Sequence, residues 1–134
     1  MASDSIKVLI IDDSEVDRYT YRRYLELASP RYEVYEADDR LEGVNLVRTI
    51  DPDCVILDLL FPLGSGLEIL YELAGPEDQR RRQVIVLSGS PDASVQSSSI
   101  AIGACRYLVE THTTAPILDQ AIQDAIRNPI GKAA

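Results

Sequence analysis

Cys54-Val55-Ile56-Leu57-Asp58 is the stretch that decides the fold. Four apolar residues of strand length, without alternation, read as a strand buried on both faces. Such a strand belongs to a parallel sheet held between layers of helices. Outward from it, Val84-Ile85-Val86-Leu87 has the same character, and so does Ile6-Lys7-Val8-Leu9-Ile10-Ile11, interrupted once by lysine. Tyr32-Glu33-Val34-Tyr35 alternates and reads as an edge strand. Arg106-Tyr107-Leu108-Val109 is a fifth, less apolar candidate.

Helical patterns fill the intervals. Tyr21, Tyr24, Leu25 and Ala28 fall on one helical face, and Ser14 with Asp17 resembles a helix-start capping pair. Leu41, Val44 and Val47 mark a second helix ending near Asp51-Pro52. Gly66 to Leu73 is a short third, and Pro91 to Ile102 a serine-rich, weakly amphipathic fourth. Leu118, Ala121, Ile122 and Ala125 mark a fifth, which stops before Asn128-Pro129 because a residue preceding proline avoids helical geometry. Five strands alternating with five helices give an α/β fold with helices on both faces of the sheet.

Residues 1–134 make a single domain with its core at about 6–127. At 46% hydrophobic the chain buries one core without a metal or disulfide staple. Its 22 acidic and 13 basic residues leave a net charge of -9. That balance opposes nucleic acid and anionic membranes and suits cations or a basic partner surface. No apolar stretch reaches the roughly 18 residues of a membrane span, and the polar start carries no signal-peptide pattern. Cys54 and Cys105 read as reduced core thiols. A cytoplasmic location is expected.

In parallel sheets, ligands bind at the carboxyl ends of strands. The first strand ends in Asp12-Asp13, the third in Asp58, the fourth in Ser88-Gly89-Ser90 and the fifth near Glu110-Thr111. Alone, Asp12-Asp13 reads first as a solvated turn feeding a helix cap, and Asp58 also reads as a helix-capping Asp at a strand end. Pro62 with Gly64 and Gly66 argues instead for a stiff loop over a site. Three converging carboxylates repel unless a cation joins them. Oxygen ligands without a His or Cys set point to Mg2+ over zinc. His112 has no ligand spacing around it and reads as an exposed loop residue.

Val8 to Asp13, Val55 to Asp58 with Pro62 and Gly66, Val84 to Gly89, and Gly103-Ala104 with Tyr107-Leu108-Val109 together resemble the response-regulator receiver domain of two-component signalling. The resemblance covers about Ile6 to Arg127. It implies the strand order 2-1-3-4-5. It implies that Asp58 accepts a phosphoryl group from a phosphohistidine, and that Asp12, Asp13, Asp58 and the Leu60 carbonyl hold Mg2+. It makes Ser88 the hydroxyl partner of the phosphoryl group and Tyr107 the switch aromatic, although Ser88 also reads as a helix cap and Tyr107 as packing. The implied partners are a histidine kinase or phosphotransfer domain, an output domain or protein, and a second copy of the chain.

One position departs from the family. Where a lysine follows three residues after the switch aromatic, this chain has Glu110, which either adds repulsion or turns to solvent. The long Thr111 to Pro116 segment resembles receivers joined to larger signalling proteins, so the chain reads as one excised domain. The Ile130 to Ala134 tail reads as an ordinary disordered end. A pseudo-receiver, binding partners without phosphorylation, is the competing reading. Enzymes fit less well. A flavodoxin-like protein needs a phosphate loop where Asp12-Asp13-Ser14-Glu15 stands. A haloacid-dehalogenase-like phosphatase needs an aspartate where Leu60 stands.

Overall fold

The computed structural model describes residues 5–60, 66–74 and 82–128. Pro62, Gly64 and the tail from Pro129 lie outside them. The elements alternate: β1 (Ile6–Ile11), α1 (Glu15–Ala28), β2 (Tyr32–Ala37), α2 (Arg40–Ile50), β3 (Cys54–Leu57), α3 (Gly66–Ala74), β4 (Val84–Ser88), α4 (Ala93–Ile102), β5 (Arg106–Val109) and α5 (Ala115–Arg127). All neighbouring strands pair in parallel in the order β2-β1-β3-β4-β5.

The uninterrupted apolar strands are explained by two cores. Leu9, Ile11, Val55, Leu57, Val84 and Val86 face one way, against Val44 and Val47 of α2 and Ile69, Leu70 and Leu73 of α3. Val8, Ile10, Cys54, Ile56, Ile85 and Leu87 face the other, against Tyr21 and Leu25 of α1 and Leu118, Ala121, Ile122 and Ala125 of α5. Successive strand residues point to opposite faces, so a strand covered twice must be apolar at every position. Each fully buried Leu, Ile or Val side chain contributes about 1.5–3 kcal/mol relative to exposure.

Caps and close approaches set the boundaries. Ser14 Oγ accepts from the Asp17 N–H at 3.2 Å, and Asp39 caps α2 through the Glu42 N–H at 2.8 Å. Asp92 caps α4 through the Ser94 N–H, so α4 starts at Ala93, two residues later than Pro91. Strand β2 runs on to Ala37 because its backbone keeps pairing with Ile11. Gly103 ends α4 at φ 145°, and a Cβ there would lie 2.3 Å from the Ala74 carbonyl oxygen.

Two side chains assigned to buried faces are not buried. Leu41 is 73% exposed and Ala28 is exposed. Both sit in terminal turns of their helices, where the face has already curved off the sheet. Cys54 is fully buried and Cys105 half-buried, both as free thiols.

Helix α4 is held least firmly. It buries only Ser99, whereas α5 buries four apolar residues. Amide exchange in α4 is therefore expected to run about tenfold or more faster than in α5. Hydrogen-exchange mass spectrometry checks this, and equal protection would show α4 to be as rigid as α5.

Candidate functional site

Register brings the site together. Ile11 lies opposite Leu57, so the next residues, Asp12 and Asp58, leave the sheet side by side where the strand order reverses. The Asp12 N–H donates to the Ala37 carbonyl and the Asp58 N–H to the Ile11 carbonyl. Ligand oxygens of Asp12, Asp13 and Asp58 lie within 4.8 Å of one another. Among the described residues this is the only such group of potential metal ligands.

The carboxylates are held differently. Asp12 is 1% exposed, and its Oδ1 accepts from the Ser14 N–H at 2.8 Å. Asp58 is 9% exposed, and its Oδ1 accepts from the Leu60 N–H at 3.1 Å. Asp13 is exposed. Burial, opposed by the Ser14 N–H and reinforced by the charges of Asp58, Asp17 and Asp13, pushes the Asp12 carboxyl up to about 7. Burial also lifts Asp58 to about 6, with the Leu60 N–H opposing and Glu110, Asp13 and Asp17 adding to the rise. The two buried carboxyls of this acidic cluster therefore favour protons or a cation.

Gly66, at the start of α3, is pinned against Leu59, next to Asp58. A Cβ on Gly66 would lie 2.3 Å from Leu59 Cα, and the Gly66 N–H donates to the Leu59 carbonyl at 3.3 Å. Only glycine permits that approach. Leu60, between them in sequence, is 60% exposed.

Ser88 is fully buried at the end of β4, and its hydroxyl oxygen accepts from the Ser90 N–H at 3.3 Å. Tyr107 is half-buried on β5, and its hydroxyl donates to the Ser90 carbonyl at 2.6 Å. Ser90 thus joins the two side chains through its own backbone. Glu110 opens a short 3-10 turn, Glu110–His112, before α5. Its carboxylate turns inward: Oε1 accepts from the Tyr21 hydroxyl at 2.6 Å, and Oε2 lies 3.0 Å from where a Gly89 Cβ would stand. Of the two orientations open to Glu110, the inward one is adopted. His112 is exposed in that turn.

The residue pattern left three contributors unassigned. Tyr21 was placed on a buried helix face, yet a buried tyrosine hydroxyl needs an acceptor, and that was the available signal. Arg18 donates to the Asp12 carbonyl at 2.7 Å and to Glu36 at 3.0 Å, bracing the end of β1. Asp17 is influenced by Glu110 as well: burial first, then Glu110, raises its carboxyl.

Residues 8–123 match the family of the response regulator receiver domain. The chain belongs to that family. This receiver domain is 37% identical to the transcriptional regulatory protein LiaR of Bacillus subtilis (strain 168) over 119 residues, covering 85% of this chain and 53% of LiaR. It spans about half the length of the curated relatives it matches. A receiver domain protein from Clostridium thermocellum is 31% identical, with a TM-score of 0.78 over 91% of this chain and 94% of that one. The signal receiver domain of a DNA binding response regulator protein from Colwellia psychrerythraea 34H has the same fold, with a TM-score of 0.82 at 22% identity over 92% of this chain and all of that one. A receiver domain is a component of two-component signalling, a signalling module. Among its described residues no helix is long and apolar enough to cross a membrane.

Proposed function

We propose that this receiver domain accepts a phosphoryl group on Asp58 from a phosphohistidine and passes the event to a partner-binding surface. The observation that carries the reading is the convergence of Asp12, Asp13 and Asp58 at the carboxyl edge of the sheet. All three offer hard oxygen ligands, without His or Cys, and two have carboxyls raised by burial and by neighbouring acidic charges. That set fits Mg2+. Asp12, Asp13, Asp58 and the Leu60 carbonyl would hold it. When bound, the cation neutralises charge on the transferring phosphoryl oxygens.

The chain's own residues supply the rest. The Leu60 N–H occupies Asp58 Oδ1, which leaves Oδ2 as the attacking atom. The new P–O bond forms on Oδ2 as the P–N bond to the donor imidazole breaks. Ser88 accepts from Ser90 and keeps its own hydroxyl proton for a phosphoryl oxygen. Drawing Ser88 toward the phosphoryl group loosens its hold on the Ser90 N–H. The Ser90 carbonyl anchors Tyr107, so the switch aromatic is released from the same residue. The donor is a histidine kinase or a histidine phosphotransfer domain in the cytoplasm. The readout is an output domain or protein, or a second copy of the chain. The share of LiaR that this chain covers supports a receiver within a longer regulator.

Glu110 favours a second reading. The family resemblance puts a lysine there, and the inward glutamate supports a pseudo-receiver that binds partners without being phosphorylated. Incubation with acetyl phosphate and Mg2+, followed by intact-mass analysis, separates the two. One phosphoryl adduct supports the acceptor reading, and none supports the pseudo-receiver. Titration with Mn2+ tests the metal set, with Asp13→Asn expected to weaken binding about tenfold or more. Undiminished affinity in that variant would remove Asp13 from the set.

A further inference from the structure

Tyr21 and Glu110 lie 89 residues apart in sequence and meet at 2.6 Å. Tyr21 is 4% exposed in the core between α1 and the sheet. Its hydroxyl donates to Glu110 Oε1, and burial with the Glu110 charge keeps the phenol protonated well above its ordinary range. The second oxygen, Oε2, is seated against Gly89, in the turn between Ser88 and Ser90. Asp17, one turn before Tyr21 on the same helix face, lies near enough for burial and Glu110 to raise its carboxyl. The charge on Glu110 is felt at Asp58. Glu110 is thus a carboxylate seated at two points, by a phenol from α1 and by the glycine turn after β4.

We infer that Tyr21 is a positioning residue that acts through Glu110, holding a fourth negative charge beside the acidic cluster so that the site binds a divalent cation more tightly but accepts a phosphoryl group more slowly. The phosphoryl half of this inference rests on the acceptor reading above; the cation half does not. The two signs follow from charge alone. A fixed anion attracts a divalent cation and repels an incoming phosphoryl dianion. Without the phenol donor, Glu110 loses its tether and turns to water, and both effects fade together. Glycine at position 89 fits the same account, since any side chain there would press on the carboxylate.

The experiment is a double-mutant cycle on the whole chain: wild type, Tyr21→Phe, Glu110→Gln and the double variant. Phenylalanine keeps the buried ring and removes only the hydroxyl, and thermal melts confirm the fold of each. Two readouts are taken, Mn2+ affinity without phosphodonor and the rate of labelling by acetyl phosphate at saturating Mg2+. Tyr21→Phe is expected to bind Mn2+ about threefold more weakly and to label about threefold faster, the scale of one unit charge in a partly wet site. In the Glu110→Gln background the same substitution is expected to change neither. A structural defect would lower affinity and rate together, so a joint loss overturns the inference. An equal Tyr21→Phe effect in both backgrounds, or an unchanged Mn2+ affinity, overturns it as well. If wild type and variants all resist labelling, the acceptor reading fails, and the Mn2+ cycle still decides whether Tyr21 acts through Glu110.

Discussion

Asp58→Asn is expected to abolish labelling by acetyl phosphate, a drop of at least about a hundredfold, because an amide oxygen is a far weaker nucleophile than a carboxylate. The neighbours do not substitute for it. Asp12 is almost fully buried, with one oxygen on the Ser14 N–H. Asp13 is exposed and lacks the backing that β3 and the Leu60 N–H provide to Asp58. The Leu60 N–H can still bond an asparagine oxygen, so the variant keeps its loop and its fold. Intact mass followed by peptide mapping checks this. An adduct on Asp12 or Asp13 in the wild type would contradict the assignment.

The same substitution has an opposite and measurable effect on stability. Asp58 rises from an ordinary 3.8 to about 6, and Asp12 from 3.8 to about 7. Both folded-state values lie above the unfolded ones, so the folded chain holds protons that the unfolded chain releases. That contribution is complete below about pH 4. It is lost as pH rises through about 6 for Asp58 and about 7 for Asp12. Metal-free protein at pH 8 therefore folds against the burial of a charged carboxylate, and against its repulsion by Glu110, Asp13 and Asp17, both of which Asp58→Asn relieves. The variant is expected to gain on the order of 2 kcal/mol at pH 8, roughly 6 °C in Tm, and almost nothing at pH 4.

Glu36 works in the other direction. Its burial is outweighed by hydrogen bonds and charge from Arg22 and Arg18, which hold its carboxyl below the usual range. Its contribution is present above its ordinary value and lost as pH falls. It is common to both proteins, so the difference between their melting curves isolates Asp58 together with the part of the Asp12 rise that the Asp58 charge supplies. Saturating Mg2+ should raise the wild-type Tm at pH 8 and the variant's much less. A difference that does not vary with pH would show that Asp58 is already neutralised by other means.

Much of the architecture was legible because burial leaves a local record. The doubly covered strands had to be apolar throughout, so β1, β3 and β4 stood out, and Asp58 stood out as the charge that ended one of them. Ser14 could be read as a cap because capping joins residues three apart. The amphipathic face of α5 was correct at all four positions. Periodicity was less reliable at helix ends, where Leu41 and Ala28 kept the pattern but lost the sheet beneath them.

What the sequence by itself determined is the alternation of elements and the identity of the residues that close each strand, since both follow from short-range burial and backbone preference. Only the tertiary structure decided which of those residues meet, and how. The Ile11–Leu57 register set Asp12 beside Asp58. Docking of α1 set the Tyr21 hydroxyl against the inward Glu110 carboxylate. The fold of the β4–α4 turn made Ser90 the common partner of Ser88 and Tyr107. These contacts join residues on different elements, and their geometry depends on strand register and helix docking, which no local pattern encodes.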